Sequence, residues 1–169
     1  ERTSGANGAV LHFAAGAGCS RSAGRLRRRD SGVTRVLVVE VGDGSWGAQR
    51  YLLRLAPLLA ARGVDGLLAA PAETAAAQAW HAAGLPLVDF PSPLDRSIRT
   101  ADGRIHPWPL VIELARTLRN GVRLARLARA EDVAVIHGNS HWNHLDAAIA
   151  GLLAGRPSVL HLHEEVDAG

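Results

Sequence analysis

A glycine-rich turn follows the first long apolar run of this 169-residue chain and could bind a phosphate group. The sequence GDGSWG, residues 42–47, has the G-x-G-x-x-G spacing and stands between the apolar run 36–41 and a leucine-rich segment. Glycines let the backbone approach a ligand closely, and the amide groups that open a helix point toward an anion. The pattern is typical of nucleotide-binding turns, although a tight strand-to-helix connection needs glycines for its dihedral angles alone.

Polar residues also gather after two later apolar runs. His137, Asn139 and Ser140 follow the run VAVI. His163 and Glu164 follow the run PSVL, and five of the eight histidines lie between residues 137 and 163. The carboxyl ends of parallel strands lie along one rim of the sheet, and ligands bind at this rim where the strand order reverses direction. We therefore expect these side chains to line that rim.

The histidines do not have the spacing of a metal site. His137, His141 and His144 cannot all point one way if a strand ends and a helix begins between them, and no H-E-x-x-H motif or cysteine ligand accompanies them. We therefore expect no metal and no other cofactor. His161 is predicted to be partly buried and bonded to the backbone, and His141 and His144 are predicted to face solvent at the start of a helix.

Alternating apolar and amphipathic segments must position these residues. Strands are predicted at 36–41 and within VDGLLAAP, LPLVDF, VAVIHG and PSVLHLHE. Helices are predicted after the glycine turn, where Pro57 distorts the interior and Gly63 caps the end, and over AETAAAQAWHAA, 110–130 and 143–154. This alternation predicts an α/β fold, a Rossmann-like parallel sheet with helices on both faces. A strand order of 3-2-1-4-5 would put the reversal between strands one and four.

Composition divides the chain into two parts. Residues 1–32 are rich in Gly, Ala, Ser and Arg without any period and are expected to be disordered, whereas residues 33–169 form the predicted domain. All 19 basic residues are arginine and no basic run interleaves with aromatics, so we expect no nucleic-acid binding. The single cysteine, Cys19, excludes an internal disulfide and favours the cytoplasm. The lack of any methionine indicates a piece of a longer product.

A nicotinamide site would need an acid at the carboxyl end of the second strand, where it holds the ribose hydroxyls. That end reads LAAP, residues 68–71, while Asp65 lies at the opposite end and Glu73 lies beyond the proline. Trp46 also puts a bulky side chain inside the turn. A dinucleotide-binding oxidoreductase domain is therefore disfavoured but stays open as an alternative, as does a truncated module that binds without catalysis.

From about residue 33 to residue 166 the chain resembles the N-terminal domain of retaining GT-B glycosyltransferases of family four. The family's first segment is an apolar strand, a Gly-Gly-x-x-Arg turn, a leucine-rich helix and Arg-Gly-His. Here it reads VLVVEVGDGSWGAQRYLLRLAPLLAARGV, in which Gly47 and Arg50 match while Trp46 and Val64 replace a glycine and the histidine. The segment HAAGLPLVDFP resembles the family's next characteristic segment, a glycine followed by a short strand. EDVAVIHGNSHWNHLDAAIAGLLAGRPSVLHLHE resembles the most specific one, which runs from Asp-Val-x-x-x-His to His-x-His-Glu.

The resemblance implies a two-domain enzyme that moves a sugar from a nucleotide-sugar to a sugar or lipid-linked acceptor, with retention and without a metal. The chain would be the acceptor-side half, truncated at its C-terminal end, lacking the donor-binding domain and inactive alone. The turn against the donor phosphates and the acceptor would comprise Gly44, Gly47 and Arg50. The acceptor side of the rim would be lined by His137, Asn139, Ser140 and Glu164. His163 would meet the reacting sugar and is the predicted catalytic residue.

The helix predicted over 110–130 indicates a further partner. Its arginines fall broadly on the side opposite Leu114, Leu118, Val122 and Ala125; they are Arg116, Arg119, Arg123, Arg126 and Arg129. A basic helix can rest on anionic headgroups, and many members of the resembled family act on lipid-linked acceptors, so peripheral contact with anionic lipids at the inner face of a membrane is one interpretation. A solvated face in an arginine-biased sequence is the favoured interpretation. The choice of acceptor is expected to lie in the long polar loop 91–109.

Overall fold

Strands and helices alternate along the part of the chain that the computed structural model describes, residues 10–12, 33–42, 47–92, 98 and 104–161. The strands are β1 (Val10–His12), β2 (Thr34–Val39), β3 (Val64–Ala70), β4 (Leu87–Asp89), β5 (Val135–Gly138) and β6 (Ser158–Leu160). The helices are α1 (Gly47–Ala60), α2 (Ala75–Ala82), α3 (Pro107–Ala130) and α4 (His144–Ala154), and a 3-10 turn, His141–Asn143, precedes α4.

All strands pair in parallel in a single sheet with the order β1-β4-β3-β2-β5-β6. Apart from β1, this is the predicted order 3-2-1-4-5. The winding reverses between β2 and β5, which are paired from Val36 with Val135 to Val39 with Gly138. The predicted α/β parallel sheet and its point of reversal are thus confirmed.

The edge strand β1 departs from the prediction for residues 1–32. These residues were expected to be disordered from their composition, yet Val10–His12 pairs with Leu87–Asp89 of β4. The edge of β4 would otherwise present unpaired backbone N–H and C=O groups. A short extended segment can form hydrogen bonds with these groups even when the residues around it have a composition typical of disorder. Residues 1–9 and 13–32 lie outside the described residues.

Helices cover both faces of the sheet, because alternate strand residues point to opposite sides. One core joins Leu37 and Val39 of β2 to residues of α3 and α4 such as Leu124 and Ala147. The other joins Val38, with Leu68 and Leu87 of the neighbouring strands, to Leu52, Ala56, Ala77 and Trp80 of α1 and α2. Burial on both faces explains why residues 36–39 are all apolar instead of alternating with polar residues.

Local signals end the helices where the sequence predicts. Gly63 and Gly84 follow α1 and α2 with φ angles of 75° and 73°, which glycine adopts without strain. The Thr74 side chain accepts a hydrogen bond from the Ala77 amide and caps the start of α2. Pro57 lies inside α1, which continues through it to Ala60. None of the helices in the described segments has both the length and the apolar character needed to cross a bilayer.

Of the five arginines of α3 that were predicted to share one side, Arg119, Arg126 and Arg129 are exposed, whereas Arg116 and Arg123 are half-buried. The Arg123 guanidinium lies 4.5 Å from the centre of the Phe90 ring, and burial, with a smaller contribution from Arg119, lowers its pKa from the ordinary value. Arg116 forms an ion pair with Glu113 at 2.9 Å. The side that α3 buries against the sheet and α4 instead includes Thr117, Asn120, Gly121 and Leu124.

Helices α3 and α4 approach each other closely at Gly121. A Cβ atom at this position would lie 2.5 Å from Ile149 Cγ2 and 2.8 Å from Ile149 Cβ. Real carbon atoms do not come so close, so a side chain here would force the helices apart. Beside this contact, Asn120 Nδ2 donates to the buried Asp146 carboxylate at 3.5 Å.

Replacing Gly121→Ala should therefore lower the free energy of unfolding by about 1–3 kcal/mol, the usual cost of overpacking, despite the better helix propensity of alanine. Urea denaturation followed by circular dichroism measures the change. Gly47→Ala is the control, since no heavy atom lies within 4 Å of the Cβ it would introduce. Equal stabilities for the two variants would show that the helices do not meet at Gly121.

Candidate functional site

A buried carboxylate stands at the carboxyl end of β2, where the winding of the sheet reverses. Glu40 is 1% exposed. Its Oε1 accepts hydrogen bonds from the backbone amides of Val41 and Gly42, both at 2.8 Å, and its Oε2 accepts one from Asn139 Nδ2. Glu40 therefore joins the turn after β2 to the loop after β5.

The turn after β2 is packed tightly against this carboxylate. A Cβ atom at Gly42 would clash with Gln49 Nε2 and would lie 3.2 Å from Glu40 Oε1. Gln49 is buried in the first turn of α1. Glycine at position 42 lets these two side chains approach the backbone closely, and the start of α1 lies near the end of β2.

The loop after β5 is anchored to the same end of β2. The Asn139 amide and the Asn143 Nδ2 atom both donate to the Val39 carbonyl, at 3.1 and 2.7 Å. Ser140 Oγ accepts from the Trp142 amide at 3.4 Å and caps the 3-10 turn. The two loops therefore form one connected rim, as the predicted strand order requires.

Two histidines and a tyrosine pack together beside this rim. The His137 and His161 rings stack with centroids 5.8 Å apart, and the Tyr51 ring of α1 meets His161 edge-on at 5.0 Å. His161 is half-buried, as predicted. His144 is not solvent-facing as predicted, because its Nε2 lies 3.1 Å from the His161 carbonyl oxygen and the ring is half-buried. His141 is exposed, as predicted.

The remaining predicted site residues fall into three groups. Gly47 and Arg50 are exposed in the first turn of α1. His137 and Ser140 lie half-buried at the rim, whereas Asn139 is fully buried against Glu40. A fully buried side chain cannot line an acceptor site, so Asn139 positions the loop instead of contacting a ligand. Gly44, His163 and Glu164 lie outside the described residues.

The carboxyl end of β3 does not offer the acid that a dinucleotide site needs. Ala69 and Ala70 are buried there. Asp65 lies near the start of the strand, and Asp89 of the neighbouring strand accepts a hydrogen bond from the Ala72 amide at 3.1 Å. The described part of this region thus lacks a carboxylate placed to hold ribose hydroxyls. In the same portion of the chain, no group of three or more His, Cys, Asp or Glu side chains is arranged to hold a metal ion.

Comparison with known protein families identifies the family of this chain. Residues 46–167 match the sequence profile of Glycosyltransferase Family 4, and the match extends over most of the chain. The chain belongs to this family. Among curated proteins, none matches the chain.

Solved structures share the fold of this family 4 domain at low sequence identity. A glycosyltransferase from Rickettsia africae matches 82% of the chain with 13% identity and a TM-score of 0.60, and MurG from Acinetobacter baumannii matches 76% with 15% identity and a TM-score of 0.53. The C-terminal domain of a hydrogenase from Pyrococcus furiosus also matches 76%, with 12% identity and a TM-score of 0.51. The family 4 domain spans about a third of each glycosyltransferase, 32% and 34%, and 91% of the hydrogenase domain.

Sequence reasoning missed three residues that organise the rim of the family 4 domain: Glu40, Tyr51 and Asn143. A signal was available for Glu40, since an acid that interrupts the apolar run VLVVEV must find hydrogen-bond donors in the interior. Tyr51 and Asn143 carry no comparable signal, because their partners are distant in sequence.

The Glu40–Asn139 bond predicts a large effect for one substitution. Asn139→Leu leaves the Glu40 carboxylate buried with one oxygen lacking its donor and should lower the free energy of unfolding by about 2–3 kcal/mol. Ser140→Ala, which removes the weak hydrogen bond from the Trp142 amide to Ser140 Oγ, should cost about 0.5 kcal/mol.

A double-mutant cycle with Glu40→Leu, measured by chemical denaturation, isolates the pair. The double variant should lose less stability than the sum of the single variants, because each single variant leaves a buried partner without its hydrogen bond. Strict additivity would contradict direct coupling between the two side chains.

Proposed function

We propose that this chain forms the acceptor-side half of a retaining glycosyltransferase, which transfers a sugar from a nucleotide-sugar to an acceptor. The family match carries the proposal, since it includes Gly47, Arg50 and the segment that contains His163. The donor nucleotide would be held by a second domain. Because this chain spans about a third of the solved glycosyltransferases, we expect it to be inactive alone.

The start of α1 is suited to a donor diphosphate. The first turn of this helix contains no acidic residue, and its N-terminus carries the partial positive charge of the helix dipole. Gly47 is exposed, and no heavy atom lies within 4 Å of the position that a Cβ would occupy there. Arg50 is exposed in the same turn. These features support binding of the leaving diphosphate by backbone amides and a guanidinium group.

The carboxylate nearest the turn is not suited to acid–base catalysis. Glu40 accepts three hydrogen bonds and is almost fully buried, so it has no free access to a substrate proton. We therefore propose that the acceptor oxygen forms its bond to the anomeric carbon while the bond to the diphosphate breaks on the same face. The acceptor proton then passes to the leaving diphosphate oxygen. This route needs no metal or other cofactor.

The acceptor would lie along the rim formed by His137 and Ser140. We propose that Glu164 contributes to acceptor binding and that His163 is the catalytic residue. A sugar or a lipid-linked sugar fits the expected acceptor class. We place the reaction in the cytoplasm, at the inner face of a membrane.

Substitution of two arginines of α1, each in a separate variant, tests the diphosphate site. In a polypeptide that carries this domain together with a donor-binding domain, Arg50→Ala should weaken binding of a nucleoside diphosphate sugar about tenfold, since hydrogen bonds to charged groups contribute about 1.5–3 kcal/mol. Arg54→Ala is the matched control, because Arg54 is equally exposed but lies one turn further from the helix start. Isothermal titration calorimetry with uridine and guanosine diphosphate sugars measures both variants.

Equal losses in the two variants would contradict a localised phosphate site. Tight binding of a nicotinamide dinucleotide by the unsubstituted chain would favour the oxidoreductase alternative.

His163 is tested in a polypeptide that carries this domain together with a donor-binding domain. His163→Ala should lower kcat on the order of a hundredfold, as the loss of one hydrogen-bond donor to developing charge does in other enzymes. His141→Ala is the control, because His141 is exposed and its ring packs on Trp142. Similar kcat values for both variants, or a loss explained by unfolding, would contradict a catalytic role for His163.

A further inference from the structure

A small pocket opens between the end of β4 and helix α3. It is lined by Val88, Phe90, Arg123 and Leu127 and contains about 210 Å³ of empty space, which includes its open mouth. Pockets that hold a whole drug-sized molecule measure about 300–1,000 Å³, so this one is suited to a single small group. It lies on the side of the sheet that α3 and α4 cover, whereas α1 and α2 cover the other side.

One cation lines this otherwise apolar pocket. The guanidinium of Arg123 lies 4.5 Å from the centre of the Phe90 ring, which holds it by a cation–π contact. Arg123 is half-buried, and within the described segments it forms no ion pair with a carboxylate. The neighbouring acid, Asp89, accepts a hydrogen bond from the Ala72 amide. The Arg123 guanidinium is therefore available to an anion.

Arg119 adds a second positive charge, one helical turn from Arg123. Residues four apart lie on the same side of a helix, and Arg119 is exposed, with no ion pair to a carboxylate of the described segments. Burial lowers the pKa of Arg123 from its ordinary value, the charge of Arg119 lowers it further, and the charge of Asp89 raises it by less. The two guanidinium groups thus repel each other, and an anion between them would offset this repulsion.

A hydroxyl group without a hydrogen-bond partner lies level with the second arginine. Ser92 is 8% exposed, and its Oγ has no partner. Phe90 precedes a proline and is therefore restricted to extended backbone, so Ser92, two residues later, is expected to face α3 as well. Two extended residues cover about 6.6 Å and one helical turn about 6 Å, which places Ser92 beside Arg119. Rotation about the Cα–Cβ bond can turn this hydroxyl toward a ligand.

We propose that this pocket binds a phosphate monoester, held by the guanidinium groups of Arg123 and Arg119 and by the Ser92 hydroxyl. A planar guanidinium matches two phosphate oxygens with paired hydrogen bonds. A phosphate monoester carries nearly two negative charges at neutral pH, which balance the two arginines. A carboxylate, with a single charge, would leave one arginine unbalanced.

The pocket lies at the same edge of the sheet as the rim but is separate from it. In the strand order, β3 and β2 lie between β4 and β5. Neighbouring strands are about 4.8 Å apart, so the pocket is roughly 12 Å from the point of reversal. An acceptor that spans this distance would have its phosphate in the pocket and its reacting hydroxyl at the rim. This use of the pocket rests on the proposed function, whereas phosphate binding itself does not.

NMR titration of the isotope-labelled full chain with glucose 6-phosphate tests the proposal. Binding should shift the amide signals of Phe90, Ser92 and Arg123. Glucose should cause no such shifts, and glucuronate, which carries a carboxylate, should bind at least about fivefold more weakly. In a second titration, vesicles that contain phosphatidic acid replace the sugar phosphate, which distinguishes a soluble ligand from a lipid headgroup as the source of the phosphate.

Three substitutions assign the binding to the named side chains. Arg123→Gln should weaken binding of glucose 6-phosphate about tenfold, and Arg119→Gln about threefold because an exposed charge contributes less. Ser92→Ala should weaken it about threefold without lowering the midpoint of thermal unfolding, because the hydroxyl forms no hydrogen bond within the chain. A purely structural role for Ser92 would not produce this combination.

Arg54→Gln is the matched control, because it removes the same charge from an exposed position of α1, on the other side of the sheet. Its binding should equal that of the unsubstituted chain. Circular dichroism checks the fold, and Arg119→Gln and Ser92→Ala carry the test if Arg123→Gln fails to fold.

The proposal is overturned if neither phosphate probe shifts the pocket amides, if glucuronate binds as tightly as glucose 6-phosphate, or if the Arg54→Gln control loses as much binding as Arg119→Gln. Failure of the proposed function is seen separately, in a polypeptide that also carries a donor-binding domain. Glucose 6-phosphate binding at the pocket without any sugar transfer by that polypeptide would support the pocket and contradict the proposed function.

Discussion

The hydrogen bonds of one buried carboxylate hold the two halves of the rim together. Glu40 and Asn139 lie 99 residues apart in the chain, yet their side chains meet at the reversal of the sheet. Removing a carboxylate from water is unfavourable unless its oxygens are bonded, and here two backbone amides and the asparagine supply the donors. The position of the turn, of the start of α1 and of the loop after β5 all depend on this arrangement. Glu40 thus shapes the site without taking part in the proposed reaction.

The local structure could be predicted because its causes are local. A continuous apolar run at 36–41 indicates a strand buried on both faces, and Gly63 and Gly84 mark helix ends. The contacts between distant segments could not be predicted. Helical spacing alone does not decide whether Leu118 lies in the core or on the surface, where the structure places it. No feature of the sequence around His144 indicates its contact with the His161 carbonyl oxygen. The pairing of Val10–His12 with β4 depends on an open sheet edge, not on the composition of residues 1–32.

The fold and the family support different conclusions. The parallel sheet resembles both glycosyltransferases and a hydrogenase domain, so the fold alone does not choose between activities. The family match adds the chemistry-bearing segments, from the residues around Gly47 to those around His163. The structure then separates residues that shape the site, such as Asn139, from exposed ones that can reach a ligand, such as Arg50.

The central claim is that a nucleotide-sugar meets this chain at the rim between β2 and β5. Amide chemical shifts of the isotope-labelled chain, followed by NMR during addition of a nucleoside diphosphate sugar, test it most directly. The largest shifts should fall on Gly42, Gly47 and Ser140, with small changes along α2 and at the end of β3. Shifts centred on residues 69–73, where a dinucleotide ribose would lie, or spread without any maximum at the rim, would contradict it.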